Sequence, residues 1–318
     1  MNKFAIITGF LGQQRNRFMH YQDQRPIATR LEMASQVKGC DGVELCYPED
    51  FGDLKLVRNL LDKYRLGVAA LNFRSRRPGQ WMRGAWTSES PAERRDAIED
   101  FKKLIDIAAE LDVNRVTNCP LNDGSDYLFE LDYPRAYDYA AECFAELAAH
   151  NRDIRICIEY KENEPRGRCL FGMAGETIAF CQMVNADNLG ITLDFGHALC
   201  AGERPAQSAA LAARAKRLFY VQVNDNDGRF DWDMLPGSMR LWDNVEFFYY
   251  LRRLGYDDDW YSFDVVPKEL DPIENFNAAF EMTRKMEAIT DRIDTATMDE
   301  LMKERNPLKT QPYLFSLL

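Results

Sequence analysis

The chain has 318 residues, is 46% hydrophobic and 29% charged, and carries a formal net charge of −11. That length suits one large α/β barrel or two ordinary domains, and the apolar fraction is ample for a core of that size. The acidic balance argues against a nucleic-acid partner, which needs a basic face. No apolar run approaches the ~20 residues of a membrane span.

The chain opens on Lys3-Phe4-Ala5-Ile6-Ile7, too short and mixed for a signal peptide and read instead as a first strand. Apolar runs of strand length are predicted at 3–9, 42–47, 67–73, 114–119, 154–160, 189–195, 218–224 and 261–266. Amphipathic segments lie between them, near 28–38, 53–64, 91–111, 134–150, 174–185, 204–215, 241–254 and 272–289. Ser90-Pro91-Ala92-Glu93 has an N-cap, a first-turn proline and an acidic residue, and Asp132-Tyr133-Pro134 repeats that logic. Eight strand–helix pairs are the count of a (β/α)8 TIM barrel. A doubly wound sheet would want a Gly-rich phosphate loop after the first strand, and Gly9-Phe10-Leu11-Gly12 does not fit one. The expected organisation is a barrel over 1–290 and a C-terminal tail over 291–318. The tail's apolar end, Tyr313 to Leu318, covers either its own barrel or a second subunit. Eight scattered cysteines without a CxxC pair read as reduced thiols of a cytoplasmic protein.

Charged and polar residues collect where the apolar strands end. The fifth strand passes from Ile154–Ile158 into Glu159, Lys161 and a charged loop. Glu159 and Lys161 are two residues apart, so on an extended strand they face the same side. The second strand offers Glu44, the third Asn72 and Arg74, and the fourth Asn118 with Asp123, Asp126 and Tyr127 in its loop. The sixth offers Asp194 followed by Phe195-Gly196-His197. The seventh offers Gln222, Asn224 and Asp225, with Asp231-Trp232-Asp233 beyond, and the eighth offers Asp264. In a barrel these tips converge on one mouth. Unpaired carboxylates there repel one another and resist desolvation, and a divalent cation resolves the conflict. Oxygen donors with one nearby histidine suit Mn²⁺, with Mg²⁺ and Co²⁺ as alternatives. Trp81, Trp86, Tyr127 and Trp232 are candidates for an apolar wall against sugar C–H faces. Arg74, Arg76, Arg77 and Arg83 form a basic set after the third strand, either a site for an anionic substituent such as a carboxylate, phosphate or sulfonate, or a solvated or subunit-interface patch.

Together these segments resemble a known family. Glu159-Tyr160-Lys161-Glu162-Asn163-Glu164-Pro165-Arg166-Gly167 resembles the E-P-K-P-N-E-P-R-G segment of xylose isomerases and the E-Y-K-x-x-E-P segment of L-rhamnose isomerases. Leu193-Asp194-Phe195-Gly196-His197 is similar to the carboxylate-x-x-His motif of both. Val223-Asn224-Asp225 followed by Asp231-Trp232-Asp233-Met234-Leu235-Pro236-Gly237-Ser238 is similar to the rhamnose isomerase H-x-N-D…D-x-D-L-x-x-G-S stretch. The resemblance implies two metal ions. Glu159, Asp194 and Asp264 would hold the first, and Asp194, His197, Asp231 and Asp233 the second. Lys161 would bind the substrate carbonyl, with Asn118, Arg166, Trp86, Tyr127 and Trp232 around the sugar. It also implies a metal-assisted hydride shift interconverting an aldose and a ketose, in a homodimer or homotetramer.

Two departures qualify the resemblance. The fourth ligand of the first metal is usually His or Asp, and here Gln222 stands in its place, either as a weaker amide ligand or leaving the position to water. The ring-opening histidine of xylose isomerases is absent, with Phe73 and Arg74 in its neighbourhood, so D-xylose is not the expected substrate. A keto-sugar 3-epimerase and a lyase on the same barrel, such as an inosose dehydratase or a C-glycoside-cleaving subunit, remain the alternatives. Asp264, Lys161 and the Asp231/Asp233 pair favour the isomerase over the epimerase.

Overall fold

A computed structural model describes residues 2–16, 18–164 and 166–318. Among them, eight parallel strands close into a barrel: β1 (Lys3–Ile7), β2 (Gly42–Tyr47), β3 (Gly67–Phe73), β4 (Arg115–Asn118), β5 (Arg155–Glu159), β6 (Leu189–Asp194), β7 (Leu218–Val223) and β8 (Trp260–Phe263). Each strand pairs with its sequence neighbours, and β8 closes on β1 with Phe4 beside Tyr261 and Ile6 beside Phe263. This is the predicted (β/α)8 architecture.

Strand parity sorts the side chains. Phe4, Ile6, Leu71, Phe73, Val116, Ile158, Val221 and Phe263 point outward and join the large core beneath the helices. Ala5, Ala70, Cys157 and Tyr220 form a separate small cluster inside the barrel. Small residues dominate that inner cluster because four side chains from alternate strands must share a narrow cross-section. Thr117 and Thr192 meet inside as well, with hydroxyls 2.7 Å apart.

Helices α1 (Ile27–Gln36), α2 (Leu54–Tyr64), α3 (Pro91–Glu110), α4 (Tyr133–His150) and α5 (Ala174–Val184) follow the first five strands. The Ser90 hydroxyl accepts from the Glu93 N–H at 3.3 Å and the Asp132 carboxylate from the Arg135 N–H at 3.2 Å, as the cap motifs predict. A short helix the sequence did not announce, α6 (Phe195–Cys200), leaves β6 directly, ahead of α7 (Pro205–Arg214). Helices α8 (Leu241–Arg253) and α9 (Pro272–Asp291) complete the ring.

The tail folds into α10 (Thr295–Glu304) and α11 (Pro307–Phe315), which lie on α8 of the same chain. Phe315 meets Trp242 at 5.6 Å between ring centres, Asp299 pairs with Arg253 at 2.5 Å, and Met298 is buried. Among the described residues no helix is long and apolar enough to cross a membrane, and all eight cysteines are free thiols.

Two loops behind the mouth are cross-tied. The Asp123 carboxylate, fully buried, accepts from the backbone N–H groups of Ala85, Trp86 and Thr87 and from the Thr87 hydroxyl, at 2.8–3.3 Å. Gly84 passes over it at φ +98°, where a Cβ would strike the Asp123 carboxylate and the Thr87 hydroxyl. The β4 and β5 loops are also joined by an antiparallel pair, Gly124–Ser125 with Arg168–Cys169.

Candidate metal centre

The C-terminal mouth is built by parity. On β5 the inward set Cys157, Glu159 and Lys161 continues past the strand end, while Tyr160 turns outward and donates its hydroxyl to Glu203 at 2.9 Å. On β6 the inward set is Thr192 and Asp194, and the Asp194 carboxylate then caps α6 by accepting from the His197 N–H at 2.8 Å. That cap fixes His197, whose Nδ1 lies 3.0 Å from the Tyr160 carbonyl and whose Nε2 lies 3.1 Å from Asp231. Asp225 organises the β7 loop. Its carboxylate accepts from the backbone N–H groups of Asn226, Met239 and Arg240. Its backbone pairs with Met234, and the Asp233 carbonyl accepts from the Val266 N–H at 2.9 Å. The loop thereby folds back and returns Asp231 and Asp233 to the mouth. Asp233 adopts φ +48°, an uncommon conformation for a residue with a side chain and one that concentrates at functional sites.

Ligand atoms of Asp194, His197 and Asp231 lie within 4.8 Å of one another, and so do those of Cys119, Glu159 and His197. Lys161 Nζ sits 2.7 Å from Asp231 and 2.7 Å from Glu164. Both Asp194 oxygens accept from the Asn224 side-chain amide, at 3.1 and 2.9 Å. By contrast one oxygen each of Asp231, Asp233 and Asp264, and the Gln222 side-chain oxygen, are buried without any hydrogen-bond partner. Unsatisfied buried polar atoms also occur elsewhere among the described residues, but these four are all acceptors gathered at one mouth, a set that an electropositive ligand would satisfy.

The electrostatics agree. Burial pushes the Asp194 carboxyl up to about 6, with Asp231 and Glu159 adding to the effect and His197 opposing it. Burial, then Asp231 and Asp264, drive Asp233 well above the usual range. Burial, then Asp194 and Asp231, do the same to Asp264. Burial disfavours a charged His197, but Asp194 and Asp231 outweigh it and hold the ring up at about 10. Asp231 is the exception, since His197 and Lys161 overcome its burial and hold its carboxyl well below the usual range. The residues fit a divalent cation: hard oxygen donors, one imidazole, and anionic charge that the protein's own cations do not balance.

The structure brings together Glu159, Lys161, Asp194, His197, Asp231, Asp233 and Asp264. Gln222 divides its side chain between two neighbourhoods. Its amide nitrogen reaches across the barrel to both Glu44 oxygens at 3.3 Å, in a buried network that Asn72 and Tyr220 complete, and only its orphaned oxygen fits a ligand role.

Four of the expected sugar contacts stand elsewhere, and a fifth is only at the rim. Asn118 has the opposite parity to Thr117, so it faces the helix layer and spends its amide on Phe73, Ser75 and the Trp86 indole. Trp86 is fully buried among Phe73, Phe101 and Phe144. Arg166 pairs with Asp126 at 2.6 Å and lies over the exposed Tyr127 ring, out in solvent. Trp232 is half exposed beside Phe230. Pro165 of the Glu159–Gly167 motif lies outside the described residues. Cys119 was missed, although its parity with Thr117 signals that it points into the mouth.

The chain is thus a closed parallel barrel with a carboxylate–histidine cluster at its C-terminal mouth. The family model described as Xylose isomerase-like TIM barrel matches residues 31–286, and the chain belongs to that family. A xylose isomerase of Thermus thermophilus is 30% identical over 164 residues, which span 50% of this chain and 42% of that protein. A D-tagatose 3-epimerase-like protein superposes with TM-score 0.71 at 19% identity, covering 91% of this chain and 98% of its own. The IOLI protein with a bound zinc atom gives 0.66 at 16% identity, covering 91% and 98%. Likeness at these structural identities establishes the fold.

Proposed function

We propose that this protein is a divalent-metal-dependent sugar isomerase interconverting an aldose and a ketose. The observation that carries this reading is the Lys161 ammonium, buried beside the carboxylate cluster and anchored by Asp231 and Glu164. Burial works against its charge, but Asp231 leads the acidic neighbours that hold it well above the ordinary lysine range. Lys161 therefore acts as a permanent hydrogen-bond donor rather than a base. Two of its three N–H bonds are directed at carboxylates, and the third is free for a substrate carbonyl oxygen. Glu159, Asp194 and Asp264 would hold one cation and Asp194, His197, Asp231 and Asp233 the other. The donor set suits Mn²⁺, or Mg²⁺ and Co²⁺. A bound cation supplies Lewis-acid polarisation of the carbonyl. Asn224 and the Tyr160 carbonyl orient Asp194 and His197, as outer-shell partners of metal ligands do. Phe230 and Trp232 offer an apolar face on the loop that carries Asp231 and Asp233.

The test is a panel of free aldoses and ketoses incubated with Mn²⁺-loaded protein, with products assigned by NMR. Exchange of carbonyl and hydroxyl between C1 and C2 is expected. Inversion at C3, the change for which several structural neighbours are named, or an elimination product would replace this reading.

A further inference from the structure

The four arginines after β3 divide sharply in their environments. Arg77 pairs with Asp100 at 2.6 Å and lies over the rings of Tyr47, Phe73 and Trp81, so it is spent on packing. Arg83 is exposed and pairs with Glu130, and Arg76 is exposed. Arg74 differs from all three. It shares the inward parity of Ala70 and Asn72, and it continues past the end of β3 into the mouth. Its guanidinium is partly buried, with one terminal nitrogen 3.2 Å from the Cys46 sulfur and a Cβ on Gly9 only 3.4 Å from it. Among the described residues no carboxylate lies within 4.0 Å of Arg74, and the Cys46 thiol is the only partner of its side chain. The acidic groups that act on it from a distance are Glu159 and Glu44. Glu44 already accepts from Asn72, Tyr220 and Gln222, and Glu159 belongs to the metal cluster.

A half-buried guanidinium without a carboxylate is costly to maintain, and its planar fork suits a bidentate anion. The tips of β1, β2 and β3 hold it, across the mouth from the carboxylates of β5 to β8. Arg74 feels the charge of Glu159 on β5, the strand that leads into Lys161, so the two cations face one mouth.

We propose that Arg74 is a specificity residue for an acidic sugar, an aldose or ketose whose end remote from the reacting carbonyl carries a carboxylate. One guanidinium balances one negative charge, and this favours a carboxylate over a doubly charged phosphate. An aldose with a terminal carboxylate, a uronate, keeps C1 and C2 intact for the isomerisation proposed above, on which this assignment rests. The reaction that supplies such a substrate is the release of a uronate from a polymer or glycoside.

The experiment compares Mn²⁺-loaded wild type, Arg74→Met and Arg74→Lys. Each is titrated calorimetrically with three matched ligands: a neutral hexose, the hexuronate of the same stereochemistry and its 6-phosphate. Wild type is expected to bind the uronate about tenfold or more tighter than the neutral sugar, the worth of one charged hydrogen-bonded pair. Arg74→Met collapses that ratio to about one, and Arg74→Lys retains part of it. Equal wild-type affinity for acid and neutral sugar, no saturable uronate binding, or an unchanged ratio in Arg74→Met would overturn the assignment. A preference for the phosphate would also overturn the carboxylate. Turnover is read separately. Arg74-dependent uronate binding without C1–C2 exchange removes the isomerase and keeps the acid subsite, whereas exchange of neutral sugars with no acid preference does the reverse.

Discussion

The two halves of the mouth use the same kinds of side chain in opposite ways. Behind β3 and β4, Asp123 is as buried as any acid in the protein, yet four protein donors meet its carboxylate. Over β7 and β8, Asp231, Asp233 and Asp264 each leave a buried oxygen with nothing. Trp86 likewise gives its indole N–H to Asn118, and only Arg74 on that side finds no partner but a thiol. The Asp123 carboxylate is satisfied by the protein alone, whereas the three aspartates each keep an acceptor that a bound cation would satisfy.

Breaking the Asp123 side should cost stability. Trp86→Ala removes the centre of the Phe73–Phe101–Phe144 cluster and should lower unfolding free energy by about 3–5 kcal/mol in urea denaturation. A loss under about 1 kcal/mol would mean the aromatic wall is not core. Breaking the side of the three aspartates should cost function instead. Lys161→Met should reduce kcat on the identified substrate by about 10²–10³-fold, as loss of an electrostatic stabiliser does, while elemental analysis still finds the metal. Full turnover in that variant would remove Lys161 from the chemistry.

Asp233→Asn sharpens the comparison, because it should move the two properties in opposite directions. It relieves crowding among buried carboxylates, so the chelated variant should be more stable than chelated wild type by about 1–2 kcal/mol, with weaker Mn²⁺ binding. Equal metal affinity would exclude Asp233 as a ligand. The pH dependence of the chelated protein follows from the same crowding. Asp194 is raised to about 6, so its contribution is greatest in acid and is lost as pH rises through about 6. His197, raised to about 10, contributes fully below the ordinary imidazole range and loses that contribution as pH rises through about 10. Both signs agree, so thermal scans of chelated protein should show the melting temperature falling from mildly acid to alkaline pH, and saturating Mn²⁺ should flatten the slope. A rising melting temperature would refute the assigned charges. The smallest effect is expected from Arg166→Ala, an exposed pair on the loop, which should leave stability within about 0.5 kcal/mol of wild type.

The barrel was legible because its signals are local. Eight apolar runs lie within a few residues of the eight strands, and the Ser90 and Asp132 caps were readable from neighbouring residues. The meeting of these carboxylates at one mouth was legible from strand-end position alone, since Glu159 and Asp194 end their strands inward and Asp264 follows β8 with the same parity as Ser262. The errors came where parity was not applied. Asn118 and Cys119 are adjacent, and the sequence reading chose the polar amide that faces the helices over the thiol that faces the mouth. Trp86 and Tyr127 are both loop aromatics, and nothing local distinguishes the one that Asp123 and Phe144 enclose from the one left in solvent. Arg74 was indistinguishable from Arg76, Arg77 and Arg83 until the partners of each were known.

The Asp123 tether bears on affinity as well as on folding. By clasping the Ala85–Thr87 backbone, and with Arg77 donating to the Arg74 carbonyl at 3.0 Å while gripping Asp100, it fixes the two ends of the β3–α3 connection. A ligand meeting Arg74 therefore encounters a preformed cradle rather than a closing lid. Its association should show little loss of conformational entropy, and selectivity should reside in fit rather than in a gating motion.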